Sequence, residues 1–285
     1  MTMISNLSLG TAQFGLAYGI TNEVGKVSEK VVSELLAIAQ DAGICLLDTA
    51  QAYGNAEQVL GKCLPASHNY KLTSKLPSQA NTYFTSLDSN KWNTSYLKSC
   101  ENLREVKLDT FLVHDIADLH KPGAHYLEEW LFSLKDNGLV NRLGVSIYDR
   151  DDLMHINPEL IDVVQLPLSL FDQRLVQDGT VKRLHESGVS VQARSIFLQG
   201  LLLTSSKLWP AWMPPNVLAH HHALESFALD VKCSLLELAV GFIKDQEELD
   251  SVVVGVCSTE ELIQLINVWQ SPSLRLTRSE EHTSE

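Results

Sequence analysis

The chain has 285 residues, 45% of them hydrophobic, and 22 lysines and arginines against 35 acids leave a formal charge of −13. That composition supports a packed, enzyme-sized core and excludes a disordered chain. The acidic balance argues against nucleic acid and anionic membranes as partners, and the longest apolar runs, such as Ile196 to Leu203, are too short to span a bilayer.

In chain order, Leu7 to Thr11 reads as a first strand ending in the loop Gln13-Phe14-Gly15. Ser28 caps a helix that runs to Ala42 and is stopped by Gly43. Strand two is Ile44 to Leu47, followed by the polar stretch Asp48 to Gly54 and a helix from Ala56 to Leu64. Tyr70 to Lys75 is strand three, Trp92 to Val106 a helix, and Leu108 to Val113 strand four, with His114 and Asp115 at its exit. The helix Tyr126 to Lys135 stops at Asn137-Gly138. Strand five is Arg142 to Ser146, followed by a short helix, Arg150 to His155. Strand six is Ile161 to Leu166, Thr180 to Glu186 is helical, and strand seven is Val189 to Ala193. A long irregular insert, Thr204 to Val217, precedes helices at Ala219 to Asp230 and Leu235 to Lys244. Strand eight is Ser251 to Gly255, and Thr259 to Trp269 is the last helix.

Eight strands alternating with helices predict an α/β fold with a parallel sheet. Continuous apolar strands such as Phe111-Leu112-Val113 are buried on both faces. A closed (β/α)8 TIM barrel is the favoured reading, as one domain over residues 1–277 with a polar, disordered tail at 278–285. An open doubly wound sheet is second, because no GxGxxG follows the first strand.

In a parallel barrel, functional groups stand where strands run out into loops. Those exits supply Gly10, Thr11, Asp48 with Tyr53, Lys75, His114, Ser146, Gln165, Arg194 and Gly255. A phenol, whose reference pKa is about 10, is a poised proton donor near neutrality. A neighbouring ammonium stabilises the phenolate, a carboxylate such as Asp48 neutralises a buried ammonium, and an imidazole can orient the reacting oxygen. Taken singly, each has an ordinary alternative: Asp48 as a turn former, Tyr53 as packing, Lys75 as a solvated cation, His114 as a core histidine. Their coincidence at successive exits favours a catalytic group.

These segments resemble the aldo-keto reductase family over nearly the whole chain. The resemblance rests on Gly10 to Gly15, on Asp48-Thr49-Ala50-Gln51-Ala52-Tyr53-Gly54, on Ser74-Lys75-Leu76, on Leu112-Val113-His114, and on Gly144-Val145-Ser146 with Val164-Gln165. It implies reduction of an aldehyde or ketone to an alcohol by a nicotinamide cofactor, usually NADPH, held without a Gly-rich phosphate loop. It implies Tyr53 as general acid, Lys75 as its modulator, Asp48 as the partner of Lys75, and His114 as substrate orienter. Cofactor contacts are implied for Gly10, Thr11, Ser146, Gln165, Arg194, Gly255 and Ser258.

The departures are specific. Ile147 stands where the family often has Asn, and Arg194 where it has an aromatic that stacks on the nicotinamide. No lysine or arginine occurs from Asp245 to Leu274, where the family clamps the 2′-phosphate of NADP, whereas Glu260 and Glu261 do. NAD therefore stands beside NADP as an expected cofactor. Ser258 reads equally as a helix cap or as a phosphate contact.

Consecutive His220, His221 and His222 point in different directions on a helix and cannot converge on one metal ion. Trp209, Trp212 and Met213 are candidates for the substrate entrance, or for an ordinary surface cluster. Cys45, Cys63, Cys100, Cys233 and Cys257 include no CxxC pair and read as reduced thiols of a cytoplasmic protein, and Met1 to Leu9 lacks the features of a secretory signal. A small carbonyl compound is the expected partner. A cofactor-binding regulatory module of the same fold without productive turnover, and a lyase or epimerase using the same phenol and ammonium, are the alternatives. Oligomeric state is not legible.

Overall fold

A computed structural model describes residues 4–65 and 67–272 of the chain; the tail expected at 278–285 lies outside the described residues. Strand β1 (Leu7–Gly10) runs into a short helix, α1 (Ala12–Gly15), and α2 (Glu29–Asp41) leads to β2 (Leu46–Asp48). Then follow α3 (Ala56–Cys63), β3 (Lys71–Leu76), α4 (Ser89–Leu103), β4 (Leu108–Val113), α5 (Ala124–Asp136), β5 (Val140–Ser146) and β6 (Val163–Pro167). The last part holds α6 (Arg174–Gln177), α7 (Thr180–Glu186), β7 (Ser190–Arg194), α8 (Pro215–Asp230), α9 (Leu235–Lys244), β8 (Ser251–Gly255) and α10 (Thr259–Gln270).

The strands pair in sequence order and close into a barrel, β8 joining β1. All pairs are parallel, with Gly10 opposite both Asp48 and Gly255. The barrel predicted from the alternation of strands and helices is the observed fold. Parallel strands need long crossovers, and the helices that supply them cover the sheet. Leu35 and Leu36 of α2, Val59 and Leu60 of α3, and Leu127 and Leu131 of α5 are all buried at helical spacing. On β4, Phe111 turns to the helix layer, where its ring meets Tyr96 at 5.5 Å and Trp130 at 6.3 Å. None of the described helices is long and apolar enough to cross a membrane.

Local chemistry moves several boundaries. Pairing on β2 starts at Leu46 rather than Ile44, because the Ile44 N–H closes α2 on the Ala39 carbonyl. The Ile161 N–H finishes a 3-10 turn at Pro158–Leu160, so β6 starts at Val163. The helix expected over Arg150 to His155 is a 3-10 turn, Arg150–Leu153, that cannot continue through His155 at φ 65°. Helix α8 starts at Pro215, inside the stretch expected to be irregular. A proline in the first turn lacks only an N–H that has no helical partner there.

Candidate active site

The β2 exit is built by close backbone packing. Thr11 donates both its backbone N–H and its hydroxyl to the carbonyl of Asp48, at 2.9 and 3.0 Å, tying β1 to β2. The chain then turns at Tyr53, whose N–H reaches the Ala50 carbonyl at 3.0 Å. Gly54 takes φ +60°, and a Cβ there would stand 2.6 Å from the Gly15 carbonyl oxygen. A Cβ on Gly15 would meet the Tyr53 carbonyl oxygen at 1.9 Å. The two glycines let the Tyr53 turn lie directly on α1, which sets the phenol's position.

Lys75 faces inward from β3 while its neighbour Ser74 turns outward to Glu57 on α3, at 2.6 Å, as the two-residue period of a strand requires. The Lys75 ammonium is 1% exposed. It donates to Asp48 Oδ1 at 2.6 Å and to the Thr49 carbonyl at 2.9 Å. It also lies 5.2 Å from the centre of the Tyr53 ring. Burial alone would lower the ammonium pKa, but the Asp48 carboxylate and the Tyr53 phenol outweigh it and hold the group above its ordinary value.

The His114 ring meets Tyr53 edge to face, with centroids 5.7 Å apart. Burial, reinforced by the charges of Lys75 and Arg194, pushes its pKa down from 6.5 to about 4. The imidazole is therefore neutral near neutrality and can donate or accept one hydrogen bond without carrying charge.

Asp48, Tyr53 and His114 open into one cavity of about 730 Å³ at the C-terminal mouth of the barrel, with Gly10, Thr11, Ser146, Gln165, Arg194 and Gly255 also in its wall. Lys75 sits behind that wall. The four residues singled out as a catalytic group, drawn from three strands, thus stand around one concave space. A phenol backed by an ammonium, beside a neutral imidazole, can give a proton to an oxygen on which negative charge is growing.

Of the residues implied for cofactor contact, six line the cavity. Two of them also hold the site together: Thr11 through the Asp48 carbonyl, and Gln165, whose amide donates to Asp48 Oδ2 at 2.8 Å. Both oxygens of Asp48 are thereby engaged. Ser258 stands apart: it caps α10, accepting from the Glu261 N–H at 3.2 Å, and is absent from the cavity wall. Glu261 is in that wall instead, its carboxylate accepting from the Cys257 N–H at 2.7 Å.

The aromatic entrance expected of Trp209, Trp212 and Met213 is not where the structure puts them. Trp209 turns inward, its ring tilted against His221 at 4.4 Å and its indole N–H donating to the Leu201 carbonyl, and none of the three lines the cavity. Tyr18, Tyr148, Phe197 and Leu203 do. Tyr18 and Tyr148 lie in loops, where no periodicity marks a side chain as facing a cavity. His220 and His221 both meet the Phe171 ring, and His221, which also reaches the Leu202 carbonyl, shares the Glu225 carboxylate with His222.

Gln13 carries an unmet hydrogen-bond acceptor beside the cavity. It lines the wall, and its Oε1 is buried without a hydrogen-bond partner. A buried amide oxygen left bare costs free energy unless a ligand donor meets it.

The profile of the Aldo/keto reductase family matches residues 6–280. An aldo-keto reductase of Mycobacterium sp. (strain MCS) is 30% identical over 139 residues, which is 47% of this chain and 46% of that one, so the match spans under half of the relative's length. Among solved structures, an aldo-keto reductase from Bacillus halodurans in its holo form superposes with a TM-score of 0.73 at 21% identity, over 94% of this chain and 88% of that one. A glycerol dehydrogenase from Gluconobacter oxydans does so with a TM-score of 0.69 at 22% identity, over 94% and 87%. At these identities the two superpositions speak for the barrel alone. With its profile matched from β1 to beyond α10, and its barrel shared with these structures, the chain belongs to the aldo/keto reductase family.

Proposed function

We propose that the protein reduces an aldehyde or ketone to an alcohol, with hydride from a reduced nicotinamide and a proton from Tyr53. One observation carries the reading: a buried ammonium held at 2.6 Å by Asp48 stands against the Tyr53 ring, beside a cavity that His114 also lines. A purely structural ion pair needs no phenol and no neutral imidazole aimed into the same open space.

The division of labour follows from the charges. When bound, the cofactor supplies hydride at the carbonyl carbon. Tyr53 gives its proton to the carbonyl oxygen. Lys75 stabilises the phenolate left behind, and Asp48 keeps Lys75 charged and in place despite its burial. His114, neutral, hydrogen-bonds the same oxygen and fixes which way the carbonyl points. Gln165 holds the second oxygen of Asp48, so the carboxylate cannot rotate away from Lys75. Gly10, Thr11, Gln13, Ser146, Gln165 and Gly255 form the wall that receives the cofactor, and the bare Gln13 oxygen is the acceptor there for one of its donors.

The finer cofactor reading favours NAD over NADP. Among the described residues, the cavity wall carries acids at Glu23 and Glu261, while its one lysine or arginine is Arg194. Glu261 already occupies the free Cys257 N–H near the start of α10. A 2′-phosphate at that end would meet a carboxylate instead of a cation, whereas a ribose hydroxyl can donate to it.

Cofactor absorbance followed against a panel of aldehydes and ketones tests the reaction. Turnover by the wild type, abolished in Tyr53→Phe with cofactor affinity retained, is expected. Turnover surviving in Tyr53→Phe would refute Tyr53 as the acid.

A further inference from the structure

Arg194 ends β7 with its guanidinium in the wall of the reaction cavity. It is half-buried, and its polar contacts within the protein are neutral: Nη2 donates to the Ile147 carbonyl at 3.0 Å, and Nη1 to Ser195 Oγ at 3.4 Å. The Tyr148 ring lies under it, 4.4 Å from the guanidinium carbon. Among the described residues no carboxylate pairs with it. Lys75, Lys121, Arg142 and Arg174 each have an acid within salt-bridge distance, whereas Lys244, held by carbonyls alone as Arg194 is, lies outside the cavity wall. Withdrawing a guanidinium from water without a counter-charge is costly, and a fork held this way is ready for one.

The charge balance around the reacting groups points the same way. Asp48 and Lys75 cancel. His114 is kept neutral, and Arg194 is one of the charges that keep it so. Arg194 also acts on the phenol of Tyr18, which burial raises above its ordinary value and which lines the same cavity. Arg194 shares the cavity wall with Tyr53 and His114. The acids Glu23 and Glu261 give other parts of the same wall the opposite sign.

We propose that Arg194, steadied on Tyr148, binds an anionic group of the substrate, so that the enzyme acts on aldehydes or ketones bearing a carboxylate or a phosphate. The planar fork matches either oxyanion in a two-pronged bond, which a lysine would not reproduce. Tyr18 offers a further neutral donor beside it. This assignment rests on the carbonyl-reduction reading above and gives Arg194 a substrate role, where the resemblance implies a cofactor contact.

The test uses matched pairs of probes and the full-length protein. Succinic semialdehyde is compared with butanal, and glyceraldehyde 3-phosphate with glyceraldehyde, by kcat/KM in wild type, Arg194→Met and Arg194→Lys. A charge-assisted pair predicts that the wild type prefers the charged member of at least one pair by about tenfold or more. Which pair shows the preference tells carboxylate from phosphate. The charged-to-neutral ratio should fall toward unity in Arg194→Met and recover in part in Arg194→Lys, and taking the ratio cancels general damage to the cavity. Calorimetry with succinate and with inorganic phosphate, against 1,4-butanediol, supplies a readout without turnover: the anion whose probe pair shows the preference should bind the wild type and lose about tenfold or more in affinity in Arg194→Met. Arg194-dependent binding of either anion without reduction of any probe would keep the anion site and reject the reductase reading. Reduction without charge preference, or a preference that survives Arg194→Met, would overturn the anion site. So would a variant that loses cofactor affinity while its charge ratio stays intact.

Discussion

The Asp48–Lys75 pair permits a thermodynamic test separate from its chemistry. Lys75→Met keeps most of the side-chain volume, so packing changes little. It removes the donor at 2.6 Å from Asp48 Oδ1 and at 2.9 Å from the Thr49 carbonyl. Asp48, 3% exposed, is left with the Gln165 amide at 2.8 Å as the remaining donor to its carboxylate. Breaking one side of a buried ion pair costs about 3–5 kcal/mol, and Asp48→Leu, which strands the ammonium, costs a similar amount. The double variant Asp48→Leu/Lys75→Met removes both charges together. Its main remaining penalty is the one Gln165 amide N–H that loses Asp48, the other keeping Gln192 Oε1 at 3.4 Å, and this costs about 1–3 kcal/mol. Urea unfolding followed by fluorescence and circular dichroism should therefore find the double variant more stable than either single one, while all three fail to turn over. A double variant whose loss equals the sum of the single losses, about 6–10 kcal/mol, would refute the reasoning. The pH dependence adds a check. The Lys75 pKa is raised on folding above 10.5, so its contribution is fully present below that value and fades as pH rises through the folded-state pKa. The gap between wild type and Lys75→Met should be flat across neutral pH and narrow only in strong alkali.

Two further outcomes are expected. The His114 ring should titrate with a midpoint of about 4 by proton NMR, and kcat/KM should show no inflection from this ring near its ordinary 6.5. Because the unfolded chain takes up this proton at higher pH than the folded one, stability should fall as pH drops from 6.5 toward about 4, and His114→Phe should flatten that slope; an unchanged slope would contradict the burial of a neutral ring. At the nucleotide end, Glu261→Gln should improve NADPH binding relative to NADH by about tenfold, the worth of removing one unfavourable charge contact, read as dissociation constants from fluorescence quenching. A wild type that already prefers NADPH strongly would reject the NAD reading.

The barrel and three of the four central residues were legible because strand ends are legible. Asp48 and His114 each follow an apolar run and Lys75 lies near the end of an alternating strand, and a charged or titratable side chain at such a place is conspicuous. Tyr53 lies in a turn and was found through its spacing from Asp48. What escaped the sequence depends on barrel closure. Gln165 and Asp48 are 117 residues apart, and no periodicity reveals that β6 delivers an amide to the carboxylate of β2. The link from Thr11 to the Asp48 carbonyl is a backbone contact that leaves no compositional trace. A stretch rich in Trp and Pro fits a cavity entrance and a surface cluster equally, because the partners that draw Trp209 inward, His221 and the Leu201 carbonyl, come from outside the local pattern. Ser258 illustrates the opposite case, in which the ordinary reading of a serine before a helix is the one its hydrogen bond follows.

The proposed reaction delivers hydride directly onto a carbonyl whose oxygen is protonated within the cavity. Single turnover with reduced nicotinamide deuterated at the transferable C4 position tests this, with product analysis by mass spectrometry and NMR. One deuterium is expected per alcohol formed, on the carbon that was the carbonyl carbon. Label appearing in solvent, or cofactor oxidation without a deuterated alcohol, would contradict it.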